Sequence, residues 1–146
     1  MKVSAILRER PRRLVSLPPT ATAVEAAAVM KSENVGAILV RDDRGRLLGV
    51  LSERNLALAI ATRGARLFRS RIGELMSVGK PTVGPDDAIR DVMRVMTERR
   101  ARHMPVLEGE TLVGLVSVGD LLKARLAEKT EENAVLQELA RATVRA

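Results

Sequence analysis

Several residue types are scarce or missing in this chain of 146 residues, and each absence excludes a kind of site. There is no cysteine, which excludes disulfides, thiolate metal ligands and cysteine nucleophiles. The chain has one histidine, His103, so a metal centre with several histidine ligands is excluded as well. Phe68 is the only aromatic residue, so the chain lacks the stacking platforms that bind single-stranded nucleic acids.

Long hydrophobic runs are also missing. No apolar run approaches the roughly 20 residues that a membrane-spanning helix needs, and the N-terminal segment has no signal-peptide core. The sequence therefore predicts a cytoplasmic protein without membrane contact. Hydrophobic residues make up 46% and charged residues 29% of the chain, which is the balance of a folded globular protein.

Basic residues outnumber acidic ones and give a formal net charge of +7. Twenty of the 25 basic residues are arginines, and they are spread along the chain from Arg8 to Arg145. Such charge attracts phosphate groups, whether on a nucleotide, a nucleic acid or a membrane surface. Because aromatic residues are nearly absent, a solvated basic surface is the favoured interpretation, and a nucleic-acid-binding face is the alternative.

What the chain does have is an internal repeat. Residues 17–40 align with residues 83–106 at an offset of 66, and residues 47–56 align with residues 112–121 at an offset of 65. Each copy is predicted to form a short strand, a helix, two strands joined by a turn, and a second helix. A unit of about 60 residues is marginal alone, so the two copies are expected to share one core.

Each copy ends its predicted hairpin with a related motif, "GVLSERNL" from Gly49 and "GLVSVGDL" from Gly114. Ser followed three residues later by Asp or Asn at a helix start resembles a capping box, which is a sufficient structural explanation for Ser52 and Ser117. The same helix start also suits a phosphate, because its N–H groups are free and its dipole end is positive. In that interpretation Ser117 donates to the phosphate, and Asp120 accepts hydrogen bonds from ribose hydroxyls.

These motifs, the "RHMPV" strand start and the "TVGPDDAIRDVMRVM" segment make the chain similar to the CBS-domain family, named for cystathionine beta-synthase. The resemblance covers about residues 1–126 and implies an α+β fold with pseudo-twofold symmetry. Two CBS repeats, residues 1–68 and 69–127, would pack sheet to sheet, with a helical tail over residues 128–146. The resemblance also implies a Bateman module, a regulatory pair of repeats that binds an adenine nucleotide in the cleft between them. AMP is the favoured ligand, and ADP, ATP, NAD-type molecules and S-adenosylmethionine are alternatives that the sequence does not distinguish.

By the same resemblance, the ligand-binding residues fall into two sets. The second site would combine the motif, a slot for adenine and basic residues that meet phosphate: Thr82, Arg102, His103, Met104, Pro105, Ser117 and Asp120. The first site would comprise Ser16, Ala37, Ile38, Ser52, Arg54 and Asn55. A structural role for His103 and a solvated surface position for Arg54 are the alternatives.

The two sites are not expected to be equal. An ionised Asp accepts from both hydroxyls of a ribose diol, whereas Asn offers one neutral oxygen. Since hydrogen bonds to charged groups are the stronger ones, the Asp120 site is expected to bind about tenfold more tightly than the Asn55 site.

No glycine-rich phosphate loop and no catalytic triad in a recognisable context is present, so a binding module is favoured over an enzyme. The resemblance further implies a homodimer and an unknown effector protein that reads the ligand state. Helical positions expected to be exposed for the dimer are Leu56, Ile60, Leu121 and Leu122. The tail is either a solvated helix or a dimer contact. A nucleic-acid binder, or an interaction module with vestigial pockets, remain alternative functions.

Overall fold

The structure, a computed structural model, describes residues 1–9 and 14–145. The first repeat comprises β1 (Ser16–Leu17), α2 (Ala23–Glu33), β2 (Ala37–Arg41), β3 (Leu47–Ser52), α3 (Glu53–Arg63) and a 3-10 helix (Gly64–Arg69). The second comprises α5 (Ile89–Arg99), β4 (His103–Glu108), β5 (Thr111–Ser117) and α6 (Val118–Arg145). Short helices precede the two repeats, α1 (Val3–Glu9) and α4 (Ile72–Leu75).

The strand order confirms the predicted repeat. β1 pairs parallel with β2, and β2 pairs antiparallel with β3. In the second repeat, Val83 makes a single parallel bridge to β4, and β4 pairs antiparallel with β5. The hairpin registers also correspond, with Ala37 opposite Ser52 and His103 opposite Ser117. The predicted α+β class with two equivalent halves is therefore confirmed.

Local sequence signals set the helix ends at equivalent places. α2 begins after Thr22, whose hydroxyl oxygen accepts from the backbone N–H of Glu25 at 3.1 Å. Asn34 follows α2 and Arg100 follows α5 as the C-cap residue, and both have a left-handed backbone (φ 53° and 52°). Each helix is thereby stopped, and the chain is turned toward the strand that begins three residues later.

Four apolar clusters form the core, and the smallest consists of Ala23, Ala59 and Leu67, where α2, α3 and the 3-10 helix meet. One lies between the first sheet and its helices and includes Ile38 and Val40, and an equivalent one fills the second repeat. The third joins the two repeats and includes Ala37 and Leu39 together with Leu112. Because side chains alternate along a strand, one face of β2 serves its own repeat and the other face packs against the second repeat.

Each of the short helices α1 and α4 packs on the repeat that it does not precede in sequence, and we call them the exchanged helices. α1 packs on the second repeat, where Val3 is fully buried and its N–H donates to the carbonyl of Asp87 at 3.0 Å. α4 packs on the first repeat, where Ile72 is fully buried and its N–H donates to the carbonyl of Ala21 at 2.8 Å. The boundary at residues 68 and 69 stays a prediction, and the packing of α1 and α4 crosses it.

The tail continues α6 without a break. Leu121 and Ala124 pack into the second core, and the carboxylate of Glu128 lies 3.0 Å from the N-terminal amine of Met1. From residue 129 to residue 144 every described side chain is exposed. Within the described residues, no helix combines the length and apolarity needed to cross a bilayer.

The expectation of four exposed apolar helical positions is correct for two of them. Ile60 and Leu122 are 60% and 48% exposed. Leu121, however, is fully buried, and Leu56 is partly buried. Both follow soon after a strand, where the helix still faces its own sheet, and the sequence pattern alone did not indicate that orientation.

The exchange of α1 predicts a difference between two valine substitutions. Val3→Ala removes two methyl groups from the second core and should lower the free energy of unfolding by about 2 kcal/mol. Val78→Ala is the matched control, because Val78 is 67% exposed, and it should change stability by about 0.5 kcal/mol at most. Urea unfolding monitored by circular dichroism measures both. Equal effects would show that α1 does not belong to the second core.

Candidate functional site

A cleft of about 570 Å³ lies between the two repeats. The second repeat contributes the middle of β5 and the start of α6, including Ser117 and Asp120. The first repeat contributes the turn into β2, residues 34–37, and the stretch at Leu14 and Val15. The exchanged helix α1 also lines it, through Ile6 and Leu7. Both repeats are therefore needed to form this cleft.

A larger open groove of about 850 Å³ lies between Met1, the start of α5 and the tail. Its charged lining consists of Arg90, Arg125 and three glutamates of α6, two of which lie beyond the body of the protein. None of the repeated motif residues lines it. The cleft between the repeats is therefore the candidate site, although it is the smaller of the two.

The second motif forms the start of α6 as a reciprocal cap. The N–H of Asp120 donates to Ser117 Oγ at 3.1 Å, and the N–H of Ser117 donates to Asp120 Oδ2 at 2.9 Å. The N–H of Val118 donates to the carbonyl of Arg102 at 2.8 Å, which ties the helix start to the hairpin. These bonds hold the motif at one place on the wall of the cleft.

His103 lies at the start of β4 and also lines the cleft. Burial lowers the pKa of His103, and the charge of Lys80 lowers it further. The carboxylates of Glu53 and Asp120 act in the opposite direction, and Arg102 again lowers it, with a net value below the usual 6.5. The imidazole is therefore neutral at pH 7, and a neutral ring can both donate and accept a hydrogen bond.

The first motif is capped in the same way, with one addition. The N–H of Ser52 donates to Asn55 Oδ1 at 2.8 Å, and the N–H of Asn55 donates to Ser52 Oγ at 3.2 Å. The side-chain amide of Asn55 also donates to Ser77 Oγ at 3.1 Å. Ser52 is only 8% exposed, and neither Ser52 nor Asn55 contributes to the described lining of the cleft.

The structure groups the predicted site residues differently from the sequence-based sets. From the second set, Ser117, Asp120 and His103 come together in the cleft, while Thr82 and Arg102 are exposed outside its described lining. Met104 has no exposed surface and Pro105 is buried, and neither belongs to the described lining of the cleft. The reason for the exclusion of Met104 is its orientation into the second core.

The first set is divided as well. Ala37 is paired with Ser52 in the hairpin, and it also lines the cleft together with Ser117. Ile38 has no exposed surface because it points into the first core, and Ser16 is half-buried on β1. Ser52 and Asn55 remain together in their cap, and Arg54 is exposed.

Residues of the cleft that sequence reasoning missed come mostly from the other repeat. They include Leu14, Val15, Val35, Gly36 and Leu39, together with Val113 and Leu115 of β5. Gly36 is a close neighbour of the motif residues: a Cβ there would lie 3.6 Å from both His103 Nε2 and the Glu53 carboxylate. The predicted twofold relation between the repeats was the signal that could have indicated that residues of one repeat line the cleft beside the motif of the other.

Comparison with known proteins gives a consistent result. The family model described as CBS domain matches residues 3–62 and 72–127. The CBS domain-containing protein YhcV of Bacillus subtilis is 31% identical over 123 residues, which are 84% of this chain and 86% of that protein. The chain spans less than two thirds of the length of six other curated relatives.

Two solved structures extend the comparison to the fold. The CBS-domain protein ATU1752 from Agrobacterium tumefaciens superposes with a TM-score of 0.82 at 32% identity, covering 85% of this chain and 92% of that one. The structure of CBSX2 in complex with AMP gives a TM-score of 0.71 at 22% identity, covering 88% of this chain and 98% of that one. At that lower identity the similarity is one of fold.

The lowered pKa of His103 predicts how stability depends on pH. The unfolded chain takes up a proton near pH 6.5 more readily than the folded one, so stability is expected to fall as the pH drops through about 6.5. His103→Gln removes the titrating group and should flatten the melting temperature over this range. Asp42 and Glu128, whose pKa values are lowered by Arg46 and by the N-terminus respectively, add a loss in the acidic range below about pH 4 in both proteins. Identical profiles between about pH 7 and pH 5 would contradict the assignment to His103.

Proposed function

Because the chain belongs to the CBS-domain family, we propose that it is a regulatory module that binds an adenine nucleotide in the cleft between its two repeats. The CBS-domain pair is a known regulatory module. The observation that carries the proposal is the position of Ser117 and Asp120, at a helix start, on the wall of a cleft that the first repeat completes.

The chemistry of the cleft suits each part of a nucleotide. The helix start and the Ser117 hydroxyl offer donors to a phosphate, and the carboxylate of Asp120 accepts from ribose hydroxyls. Lys123, one turn further along α6, adds a positive charge to the lining. Val35 and Leu115 belong to an apolar wall for the purine ring. A volume of about 570 Å³ is within the usual range for a small-molecule site.

Similarity to a protein crystallised with AMP supports the choice of ligand. CBSX2 shares the fold of this chain and was solved in complex with AMP. We therefore take AMP as the first ligand to test, with ADP, ATP and NAD-type molecules as alternatives. A nucleotide in the cleft would contact both repeats, so its binding would favour one packing of the repeats over another. An effector protein, not yet identified, would respond to that state, and no catalytic step is proposed.

We also propose that the chain forms a homodimer. The first-repeat helices and the 3-10 helix expose large apolar side chains, Val24, Leu58, Ile60 and Phe68, each at least 51% exposed. The 3-10 helix packs on both α2 and α3, so these positions belong to neighbouring elements. Apolar surface of this kind is usually covered by another protein chain. A cytoplasmic location remains a prediction.

The nucleotide proposal predicts a specific gain in thermal stability. AMP at about 100 times its dissociation constant should add roughly 2.7 kcal/mol to the free energy of unfolding, and guanine nucleotides should add less. Asp120→Asn keeps the helix cap, as Asn55 shows in the other repeat, but loses the charge, and it should weaken AMP binding about tenfold. Asp43→Asn, in an exposed turn, is the matched control.

Differential scanning fluorimetry measures these shifts on protein shown to carry no nucleotide from purification. A flat response to the whole ligand panel would favour a module with vestigial pockets. Because the net charge is +7, the same protein should be tested with nucleic acid. Binding to nucleic acid that falls steeply with salt, without a nucleotide effect, would favour the nucleic-acid binder.

The dimer proposal predicts the mass of a truncated chain. Light scattering should give a dimer for the full chain, and the dimer should persist after removal of residues 130–146, because the proposed contact lies on the repeats. A monomer after truncation would instead assign the contact to the tail. Ile60→Asp, which places a charge in the apolar surface, should give a monomer in either length of chain.

A further inference from the structure

The polar groups of the first motif are engaged within the chain. Asn55 Oδ1 accepts from both the N–H and the hydroxyl of Ser52, at 2.8 and 2.9 Å. Asn55 Nδ2 donates to Ser77 Oγ at 3.1 Å. An amide oxygen has two lone pairs, and both lone pairs of Asn55 Oδ1 are in use. One of the two N–H groups on Asn55 Nδ2 also has an acceptor. The groups that a ribose hydroxyl would need at this motif already have partners in the protein.

The backbone of Ser77 also covers the strand that leads into this motif. Ser77 and Val50 exchange two backbone hydrogen bonds, of 2.9 and 3.0 Å. The carbonyl oxygen of Ser77 would lie 2.6 Å from a Cβ built on Gly49, so only glycine allows this approach. The contact between Ser77 and Asn55 spans 22 residues of sequence, and the exchanged helix α4, which ends two residues before Ser77, holds it in place.

The second motif is different at the corresponding place. The three nearest neighbours of Gly114, which is equivalent to Gly49, are all side-chain atoms of Leu7, whereas Gly49 is approached by the Ser77 carbonyl as well as by the Met76 side chain. Helix α1 continues to Glu9, whereas α4 ends at Leu75 and the chain then turns onto β3. As a result Gly114 and its neighbours in β5 line the open cleft.

We propose that Ser77 takes the place of a ligand hydroxyl at the first motif, so that each chain binds one nucleotide, in the cleft with Ser117 and Asp120. This inference rests on the proposed function and replaces the expected pair of unequal sites by a single site. It also explains the asparagine of the first copy. An amide can accept from Ser52 and donate to Ser77 at the same time, whereas an ionised carboxylate has no donor.

Calorimetry with AMP on the full chain tests the inference through stoichiometry. The natural chain should bind one AMP per chain. Asp120→Ala should lose this binding, and Asn55→Ala should keep it with unchanged affinity and stoichiometry. The two variants are matched, because each removes the side chain at the N3 position of a capping box. Circular dichroism should show that both variants are folded. Asp120→Ala thus reports on the proposed function and Asn55→Ala on the inference.

Two results would overturn the inference while leaving the proposed function intact: two AMP molecules bound per natural chain, or binding lost in Asn55→Ala and kept in Asp120→Ala. No AMP binding by the natural chain would overturn both. A double-mutant cycle of Ser77→Ala and Asn55→Ala gives a second measurement that needs no ligand. The double variant should lose less stability than the sum of the losses in the two single variants. Additive losses would show that Ser77 and Asn55 do not interact, which would contradict the proposal that Ser77 closes the first motif.

Discussion

The two sheets pack against each other through Ala37, Leu39, Val50 and Leu112, and this contact decides where the cleft lies. β2 is buried on both faces, because one face packs on its own helices and the other on the second sheet. Its first residues are thereby held beside the start of α6, where Ser117 caps the helix. A single repeat would present the same motif without the opposite wall, so the capping box becomes a candidate site only in the pair.

The exchanged helices, α1 and α4, pack into the cores of the two repeats next to the two motifs. α1 lines the cleft with Ile6 and Leu7 while Val3, one turn earlier, is buried in the second core. α4 has the corresponding place on the first repeat, but there the chain continues onto β3 and Ser77 meets Asn55. In the one-site proposal, this difference closes the first motif to a ligand and leaves the second motif open. A ligand in the open cleft would touch α1 directly, which offers a physical route from occupancy to the packing of the second repeat.

Sequence reasoning was most successful where the signals are local. The order of elements, the hairpins and the caps at Ser52 and Ser117 follow from periodicity and from short motifs, and the structure has them. Alignment of the repeats shows which residues are equivalent, but not which repeat they face, so it did not indicate that Ala37, the hairpin partner of Ser52, also lines the cleft with Ser117. The role of Ser77 could not be predicted, because a contact made 22 residues away depends on the exchange of α4.

The central claim is that a nucleotide enters between the repeats at the second motif. Titration of the isotope-labelled protein with AMP, followed by amide chemical shifts in NMR, tests it residue by residue. The account predicts that the largest changes fall on both walls of the cleft, at Gly36 and Ala37 of the first repeat and at Gly114, Gly119 and Asp120 of the second. Changes confined to one repeat, or spread over the exposed arginines with the cleft unaffected, would contradict it.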